Sequence, residues 1–327
     1  MSTIPPELLF LAPLSVAAGI DLYLTLLLIG ASPTLGLWPP LPGALGDLDS
    51  PGVLLMVGAM YVLEFAAERH PPTALVWNAF HSIIRPLSGA LLALLLLDGH
   101  PIVVVASGAM LAALLSSVVH AVRSGGAVIR WLGAIATPSV LLVSLLEDGL
   151  VIGLVALTLD LPGWASAGAL PLALASLPWA PSNLRAFTFA IRLAVARVFE
   201  PLTQRRWLWP DELPARVRAS LGGDALAPGG AVRASPVGAY RLPGLPRFVT
   251  GWILIRGGSA LLVRRRLGSL KRVALGALDA SAVVERGFFL EVDLSVNEGG
   301  SSRVFFSLNG PSVASLEAEF LAPKKNL

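Results

Sequence analysis

The sequence predicts a helical domain that spans a membrane, followed by a small β-rich domain. Three observations support this fold class. The chain is 55% hydrophobic and 14% charged, with a mean hydropathy of +0.74, which is too apolar for an ordinary soluble protein. Between residues 5 and 200 it contains apolar stretches of about 20 residues, the length that crosses a bilayer as a helix. Beyond residue 248 the pattern changes to short runs typical of β-strands.

Six apolar stretches predict transmembrane helices, at 7–30, 51–68, 80–97, 101–121, 131–157 and 164–184. The first carries Glu7 and lacks the positive flank of a secretory signal, so we expect it to be retained as a span. The segment 182–200 contains Arg185, Arg192 and Arg197 among apolar residues. It is compatible with the end of a bent span or with a helix on the membrane surface.

The distribution of arginine predicts the orientation. Arginines lie between 69 and 85, in 122–130 and after 184, whereas 31–50 and 158–163 contain no Lys or Arg. Because cytoplasmic loops are enriched in basic residues, six spans with both termini in the cytoplasm place every basic cluster on one side. We interpret His120, Arg123 and Arg130 as markers of this orientation alone.

Short similarities between the two halves of the span region suggest a repeat. Ala17-Ala18-Gly19 and Ala106-Ser107-Gly108 each open an apolar run, and Glu64 and Glu147 each lie late in the second span of a group of three. Two interpretations stay open. One is a 3+3 inverted repeat, as found in many transporters; the other is chance likeness of helices rich in Leu and Ala.

Several ionisable residues interrupt the apolar spans. A charge at the centre of a bilayer costs roughly 2.5–3.5 kcal/mol on insertion scales, so such residues usually line a cavity or pair with one another. We therefore predict an intramembrane polar site. The ionisable residues inside the predicted spans are Asp21, Glu64, His81, Arg85, Glu147 and Asp148.

The second and third spans carry the densest group of candidate binding residues. Asn78, His81 and Arg85 follow the spacing i, i+3 and i+7, which places them on one stripe of a helix. Glu64 and Glu68 are four residues apart and share a helix face. Together these side chains could bind an anion, a cation or a lipid headgroup. The alternative is an ion pair that joins two helices, with Arg85 extending to the membrane surface.

The other acidic candidates are Asp21 and the adjacent pair Glu147 and Asp148. Neighbouring residues on a helix point about 100° apart, so the two carboxylates of the pair cannot share one narrow interface. The pair is suited to proton or cation handling, or marks a helix end that reaches the headgroups. Asp21 lies near the middle of the first span, where it could coordinate a cation or bond to Tyr23 or to a neighbouring backbone.

The C-terminal part is predicted as a linker, 205–247, followed by a β domain, 248–327, whose start near residue 231 is an alternative. The linker contains one expected short helix near 211–221. We predict strands at 251–256, 260–265, 273–277, 288–296 and 303–308 and a final helix at 312–321. The pattern of short strands closed by one helix is similar to a pleckstrin-homology-like barrel.

Basic residues bracket a short turn in the β domain and are candidates for contact with anionic lipid, where each basic residue contributes about 1 kcal/mol. Plain solvated charge is the alternative. We expect no nucleic acid as a partner, because no aromatic platform accompanies these residues. The candidate lipid-contacting residues are Arg264, Arg265, Arg266, Lys271 and Arg272.

Three segments resemble a known family. Residues 64–71 (EFAAERHP), 78–81 (NAFH) and 84–90 (IRPLSGA) are similar to the signature of bacterial membrane proteins grouped as domain-of-unknown-function family 4126. The likeness covers about residues 8–200 and implies a multi-pass protein of the inner membrane. The family has no settled activity to transfer. Asp21 and Leu22 depart from its pattern, which has Asn and Pro there, so a helix break at Leu22 is in doubt.

Function is predicted only as a class. The chain has no Cys, no Gly-x-Ser-x-Gly motif, no phosphate-binding Gly loop and no His-Glu-x-x-His, so we expect no metal, no cofactor and no familiar enzyme chemistry. The first hypothesis is passage of a small solute, ion or lipid through the polar site. The second is a membrane-anchored scaffold whose basic domain binds anionic lipid or a protein. An enzyme acting on lipid is third, and a homo-oligomer stays open.

Overall fold

The computed structural model describes residues 6–36, 42–69, 71–131, 140–199, 207–219, 232–242, 244–256, 259–266, 269–277, 280–286, 289–295, 301–307 and 310–320. The chain divides into two compact units, 1–184 and 185–327. The first is helical, and the second contains an antiparallel sheet.

The helical unit begins with two short apolar helices and continues with longer ones. Four helices among the described residues are long and apolar enough to cross a membrane: α3, α5, α6 and most of α4. The helices are α1 (Leu8–Ile20), α2 (Leu22–Thr34), α3 (Pro51–Glu68), α4 (Pro71–Leu96), α5 (Ile102–Trp131), α6 (Val140–Asp160), α7 (Pro162–Ser176) and α8 (Ala180–Phe199), with a 3₁₀ helix at Gly43–Asp49. The prediction of a helical membrane domain is confirmed.

The first predicted span consists of two helices rather than one. Asp21 is extended between them, with φ −137° and ψ 107°, and its carboxylate accepts the Leu24 N–H at 2.9 Å. Asp is a favoured N-cap because its side chain satisfies a backbone donor of the first turn. The break therefore occurs without the proline at position 22 whose absence had put it in doubt.

Helix α1 is the centre of the helical unit. Every residue from Leu11 to Ile20 is buried, and α1 contacts α4, α5, α6 and α7. Gly19 permits the closest approach, because a Cβ there would lie 2.8 Å from Val119 Cβ and 2.9 Å from the Ser116 carbonyl. Small residues allow membrane helices to pack at such short distances. Large apolar side chains are exposed on the outer helices, as at Leu55, Leu87, Ile102, Met110 and Leu146.

The second unit contains a seven-stranded antiparallel sheet, in the order β4-β3-β2-β1-β7-β6-β5 among the described residues. Strand β1 pairs with both β2 and β7, and so joins the two halves of the sheet. The strands are β1 (Arg233–Tyr240), β2 (Phe248–Arg256), β3 (Ser259–Arg266), β4 (Ser269–Ala277), β5 (Ala280–Arg286), β6 (Phe289–Ser295) and β7 (Ser301–Ser307). Short helices α9 (Ala215–Ala219) and α10 (Val313–Phe320) complete the unit. The predicted plan of short strands closed by one helix is confirmed.

Both faces of this sheet are covered. One face forms a core that includes Ile253, Leu262, Val292, Phe306 and Leu316 of α10. On the other face, the rings of Phe248 and Phe289 lie 6.3 and 5.5 Å from that of Phe305, and Phe189 of α8 lies 5.8 Å from Phe248.

Helix α8 thereby buries its apolar face against the sheet. A Cβ on Gly238 would lie 2.8 Å from the Phe189 ring, so glycine gives the helix room on β1. Ala186, Ala190 and Leu193 are also buried. The sequence had left this segment open between a span and a surface helix. Its apolar residues Ala186, Phe189, Ala190 and Leu193 are instead buried in the second unit.

Candidate functional site

Side chains from four membrane helices meet in one charged cluster, which consists of Glu64 and Glu68 of α3, Arg85 of α4, Arg123 of α5 and Glu147 of α6. Arg123 is central. Its Nη2 lies 2.7 Å from Glu68 Oε2, its Nε 2.8 Å from Glu147 Oε2 and its Nη1 3.6 Å from Glu64 Oε1. One guanidinium is thus shared by three carboxylates, and its side chain is only 10% exposed.

Arg85 is the most deeply buried charge of the cluster. Its side chain is 0% exposed and donates through Nη2 to Glu64 Oε1, and Glu64 is 2% exposed. Its Nη1 donates to the carbonyls of Gly19 and Ile20, each at 2.5 Å. Arg85 therefore joins α4 to α3 and to the end of α1. The alternative predicted an ion pair between two helices, which is present, and an Arg85 that extends to the membrane surface, which the buried side chain contradicts.

Two buried atoms of this ion pair lack a hydrogen-bond partner within the described residues, Glu64 Oε2 and Arg85 Nε. Buried polar atoms in native proteins almost always have partners, and each exception calls for an explanation. An open acceptor and an open donor beside each other are compatible with a site that binds a further polar species.

Asn78 and His81 lie on the same helix as Arg85 and are buried with it. Asn78 Oδ1 accepts the Ser124 hydroxyl at 3.1 Å, and the Asn78 carbonyl lies 3.2 Å from His120 Nε2. His81 Nε2 lies 3.0 Å from the Tyr23 hydroxyl. The predicted stripe is therefore one buried face whose members meet different neighbours. Asn78 contacts α5, His81 contacts α2 and Arg85 contacts α1 and α3.

The remaining acidic candidates have separate partners. Asp148 Oδ2 accepts the Tyr61 hydroxyl at 3.0 Å, while the neighbouring Glu147 turns to Arg123. Asp21 is 4% exposed and caps α2. The unit thus places five carboxylates, those of Asp21, Glu64, Glu68, Glu147 and Asp148, in a membrane domain where two arginines, Arg85 and Arg123, offset them. If all five are ionised, they outnumber the two arginines.

Sequence reasoning missed Arg123 and His120 as members of the site. It placed them at a turn and assigned them to orientation alone, and this interpretation is wrong because α5 continues to Trp131 and buries both side chains. The signal that could have found them is spacing, because His120, Arg123 and Ser124 share one helix face at i, i+3 and i+4.

The basic candidates of the second unit lie on the β3–β4 hairpin. Arg264 pairs in register with Lys271, and Val263 with Arg272. Lys271 and Arg272 are exposed. The side chains of Arg265 and Arg266 lie outside the described part of the structure. Among the described residues, no group of three or more His, Cys, Asp or Glu side chains is arranged to hold a metal ion.

Residues 8–180 match the family described as "Domain of unknown function (DUF4126)". The chain belongs to this family. The DUF4126 region contains the whole charged cluster together with Asn78, His81, Asp21 and Asp148. No curated protein matches the chain.

Among solved structures, the chain is similar at low level to three DH/PH-domain structures. A mutant of the p115-RhoGEF DH/PH domains has 10% identity, coverage of 98% of this chain and 100% of the other, and a TM-score of 0.22. An N-terminally truncated linker-DH/PH form of p115-RhoGEF has 12% identity, 91% and 90% coverage and a TM-score of 0.18. The PDZ-RhoGEF DH/PH domains in complex with activated RhoA have 11% identity, 96% and 92% coverage and a TM-score of 0.18.

Proposed function

We propose that this DUF4126 protein moves a small ion or solute across a membrane, with a cation as the preferred class, through the charged cluster of its helical unit. The observation that carries the proposal is the convergence of two buried arginines and three carboxylates from four helices. Ionisable residues inside a membrane domain are costly, and they usually mark the pathway of an ion or a substrate.

The rival explanation for the cluster is a structural ion pair that holds helices together. A purely structural ion pair is explained when each of its buried polar atoms has a partner. Here Arg123 is shared by three carboxylates, and Glu64 Oε2 and Arg85 Nε have no partner within the described residues. Because buried ion pairs are weak contributors to stability in any case, a binding role explains the cluster better.

The break between α1 and α2 gives independent support. Many transporters bind substrates and coupling ions where a membrane helix is interrupted, because the interruption exposes backbone groups at bilayer depth. In this protein Asp21 interrupts the first span, and the carbonyls just before it contact Arg85. The charged cluster and the broken helix are therefore one continuous site.

The location that goes with this function is the inner membrane of a bacterial cell, with both chain termini in the cytoplasm. The arginines outside the charged cluster support this orientation, since loops rich in Arg stay on the cytoplasmic side. These are Arg69, at the end of α3, and the arginines after residue 184; Arg85 and Arg123 belong to the cluster. Glu64 and Glu68 of the cluster would then lie near the cytoplasmic end of α3.

Flux through reconstituted vesicles tests the proposal. The purified full chain is placed in liposomes, and uptake of Na⁺, K⁺ and protons is followed under an imposed gradient. We expect flux for at least one cation, a loss of tenfold or more in Glu147→Gln and Glu68→Gln, and unchanged flux in Asp98→Asn, which removes an exposed carboxylate. Absence of flux for every cation, or equal flux in all variants, would contradict the proposal.

A scaffold is the second candidate, and the β3–β4 hairpin favours it. Exposed Lys271 and Arg272 lie beside Arg264 across the hairpin, which suits a surface that contacts anionic headgroups. Vesicle flotation with the full chain reconstituted at low density measures capture of further anionic vesicles. If the scaffold applies, Lys271→Glu weakens capture severalfold, whereas Arg216→Glu, an equal charge reversal at another exposed position of the second unit, does not.

A further inference from the structure

The interruption of the first span leaves the Ile20 carbonyl without its usual helical partner. In a continuous helix the Leu24 N–H would bond to the Ile20 carbonyl four residues earlier. Here the same N–H is donated to Asp21 Oδ1, so the Ile20 carbonyl loses that partner. The Gly19 carbonyl lies beside it at the C-terminal end of α1, where the helix dipole concentrates negative charge.

A guanidinium occupies this position. Arg85 Nη1 is 2.5 Å from both carbonyl oxygens, and Nη2 donates to Glu64 Oε1. The cationic group is therefore surrounded by two carbonyls from one helix end and a carboxylate from a neighbouring helix. These three oxygens and the open Glu64 Oε2 form a cluster of hard acceptors with a single formal negative charge.

This set of oxygens has the chemistry of a site for a small monovalent cation. Carbonyls at the C-terminal ends of broken membrane helices coordinate such ions in transporters, and carbonyl and carboxylate oxygens are the ligands preferred by hard cations. One carboxylate balances one positive charge. A monovalent ion could therefore replace the guanidinium without changing the net charge of the site.

We propose that the Gly19 carbonyl, the Ile20 carbonyl and the Glu64 carboxylate form a monovalent-cation site at the α1–α2 break, and that Arg85 is a tethered occupant which competes with the free ion. This inference rests on the proposed function and names its substrate class as an alkali cation. Arg123 makes the exchange feasible, because its Nη1, 3.6 Å from Glu64 Oε1, keeps the carboxylate compensated while Arg85 moves.

The decisive variant is Arg85→Ala, which removes the tethered occupant. The thermal midpoint of the purified full chain is measured in NaCl, KCl and N-methylglucamine chloride at equal ionic strength. The last is a bulky organic cation and serves as the reference. In Arg85→Ala we expect Na⁺ or K⁺ to raise the midpoint by about 3 °C relative to N-methylglucamine, the shift for a site with a Kd near 10 mM at about 100 mM ion.

Matched variants locate the effect. Arg85→Ala combined with Glu64→Gln should lose the response, because it removes the only charged ligand. Arg69→Ala, which deletes an exposed arginine near the same end of α3, should show no cation-specific response. Methylguanidinium serves as the positive control that the vacated site is intact. Stabilisation of Arg85→Ala by methylguanidinium without any response to Na⁺ or K⁺ would overturn the inference.

A measurement on the unaltered chain covers the case in which Arg85→Ala does not fold. Hydrogen exchange of residues 19–25 is compared between NaCl or KCl and N-methylglucamine chloride, with residues 44–50 as the internal control. We expect a cation-specific change at 19–25 alone, because the ion and Arg85 exchange there. An unchanged pattern would refute the inference.

The two proposals can fail separately. Cation flux in vesicles without any cation response at 19–25 would leave transport standing and remove the site at the break. A cation response at 19–25 in a protein that conducts nothing would keep the site and remove transport.

Discussion

The two units of the molecule each bury an arginine among carboxylates, in very different surroundings. In the sheet, Arg303 lies 3.1 Å from Glu291 and 3.8 Å from Asp293, and its side chain is 20% exposed. In the helical unit, Arg85 is 0% exposed and its partner Glu64 is 2% exposed. Arg303 is therefore partly exposed, whereas the Arg85–Glu64 pair is fully enclosed by the protein.

The connections within the two clusters differ as well. Arg303 and Asp293 are direct neighbours on paired strands, so strand pairing alone brings them together. The membrane cluster assembles residues from four helices that are up to 83 positions apart in the chain, from Glu64 to Glu147. A cross-strand pair forms wherever two adjacent strands pair in register. The membrane cluster, in contrast, forms only because the tertiary fold brings residues from four helices together.

Breaking the Glu64–Arg85 pair should lower the free energy of unfolding more than any other change considered. Glu64→Gln leaves Arg85 buried without its carboxylate, and removing one partner of a buried pair costs about 3–5 kcal/mol. Denaturation of the purified protein in detergent measures the free energy of unfolding. The double change Glu64→Gln with Arg85→Gln should be less destabilising than Glu64→Gln alone. Equal or greater loss in the double variant would show that the pair is not the cause.

Changes at Arg123 should have the second-largest effect on stability. Comparing two substitutions there separates the role of its charge from the role of its geometry. Arg123→Gln leaves three carboxylates without their shared cationic partner and should lower the free energy of unfolding by about 3 kcal/mol. Arg123→Lys keeps the charge but replaces a planar guanidinium, with donors in fixed directions, by a compact ammonium group that does not reproduce this geometry. We expect it to recover part of the stability and little of the cation flux. Full recovery of flux by Lys would mean that only the charge matters.

Asp21 allows its cap and its charge to be tested independently. Asp21→Ala removes the side-chain bond to Leu24 and should cost about 1 kcal/mol, the usual loss of an N-cap. Asp21→Asn keeps an acceptor at the cap and removes the charge, so it should fold with nearly unchanged stability. If the charge acts in cation passage, Asp21→Asn lowers vesicle flux while its thermal midpoint stays near that of the parent. Normal flux in Asp21→Asn would show that Asp21 acts only as the N-cap of α2.

The cluster around Arg303 should give the smallest change in the free energy of unfolding when its exposed acid is altered. Asp293→Asn removes a carboxylate that is 32% exposed and 3.8 Å from Arg303 Nε, and such pairs contribute about 0–1 kcal/mol. The same denaturation experiment should show a change within that range, together with unaltered cation flux. A loss as large as that of Glu64→Gln would mean that exposure does not distinguish the two clusters.

The sequence predicted the helical membrane domain and the β domain well, because each rests on local periodicity. The span at 51–68 coincides with α3, and the predicted strands at 251–256 and 260–265 fall within β2 and β3. The predicted strand at 303–308 overlaps β7 as far as Ser307, and residue 308 lies outside the described residues. Strand β1 lies in the stretch that the sequence left open between linker and β domain, and β5 was not predicted. Small residues such as Gly238 weaken the alternation of apolar and polar residues that identifies a strand. The position of β1 is instead set by its pairing with β2 and β7.

The residues of the candidate site were predicted in part, again because some of them stand out from their local sequence. Glu64, His81 and Arg85 were found because a charge in an apolar stretch is conspicuous. Glu291 shows the opposite problem. It alternates with apolar residues along β6, a pattern typical of a side chain that faces solvent, yet it is 3% exposed because this face of the sheet is covered as well. Burial of a residue depends on what packs over it, and the residue's own sequence neighbourhood does not contain that information.

The sequence by itself determined which segments are helices, which are strands, and which charges had to be compensated inside apolar surroundings. Only the tertiary structure decided the partners. It assigned Arg85 to the end of α1 and to Glu64, made Arg123 the shared partner of three carboxylates, and laid α8 on the sheet. The physical reason is the difference in the sequence distance over which these interactions act. Hydrophobic periodicity and helix capping act over a few residues, whereas the electrostatic energy of a buried charge depends on groups that are distant in the chain and close only after folding.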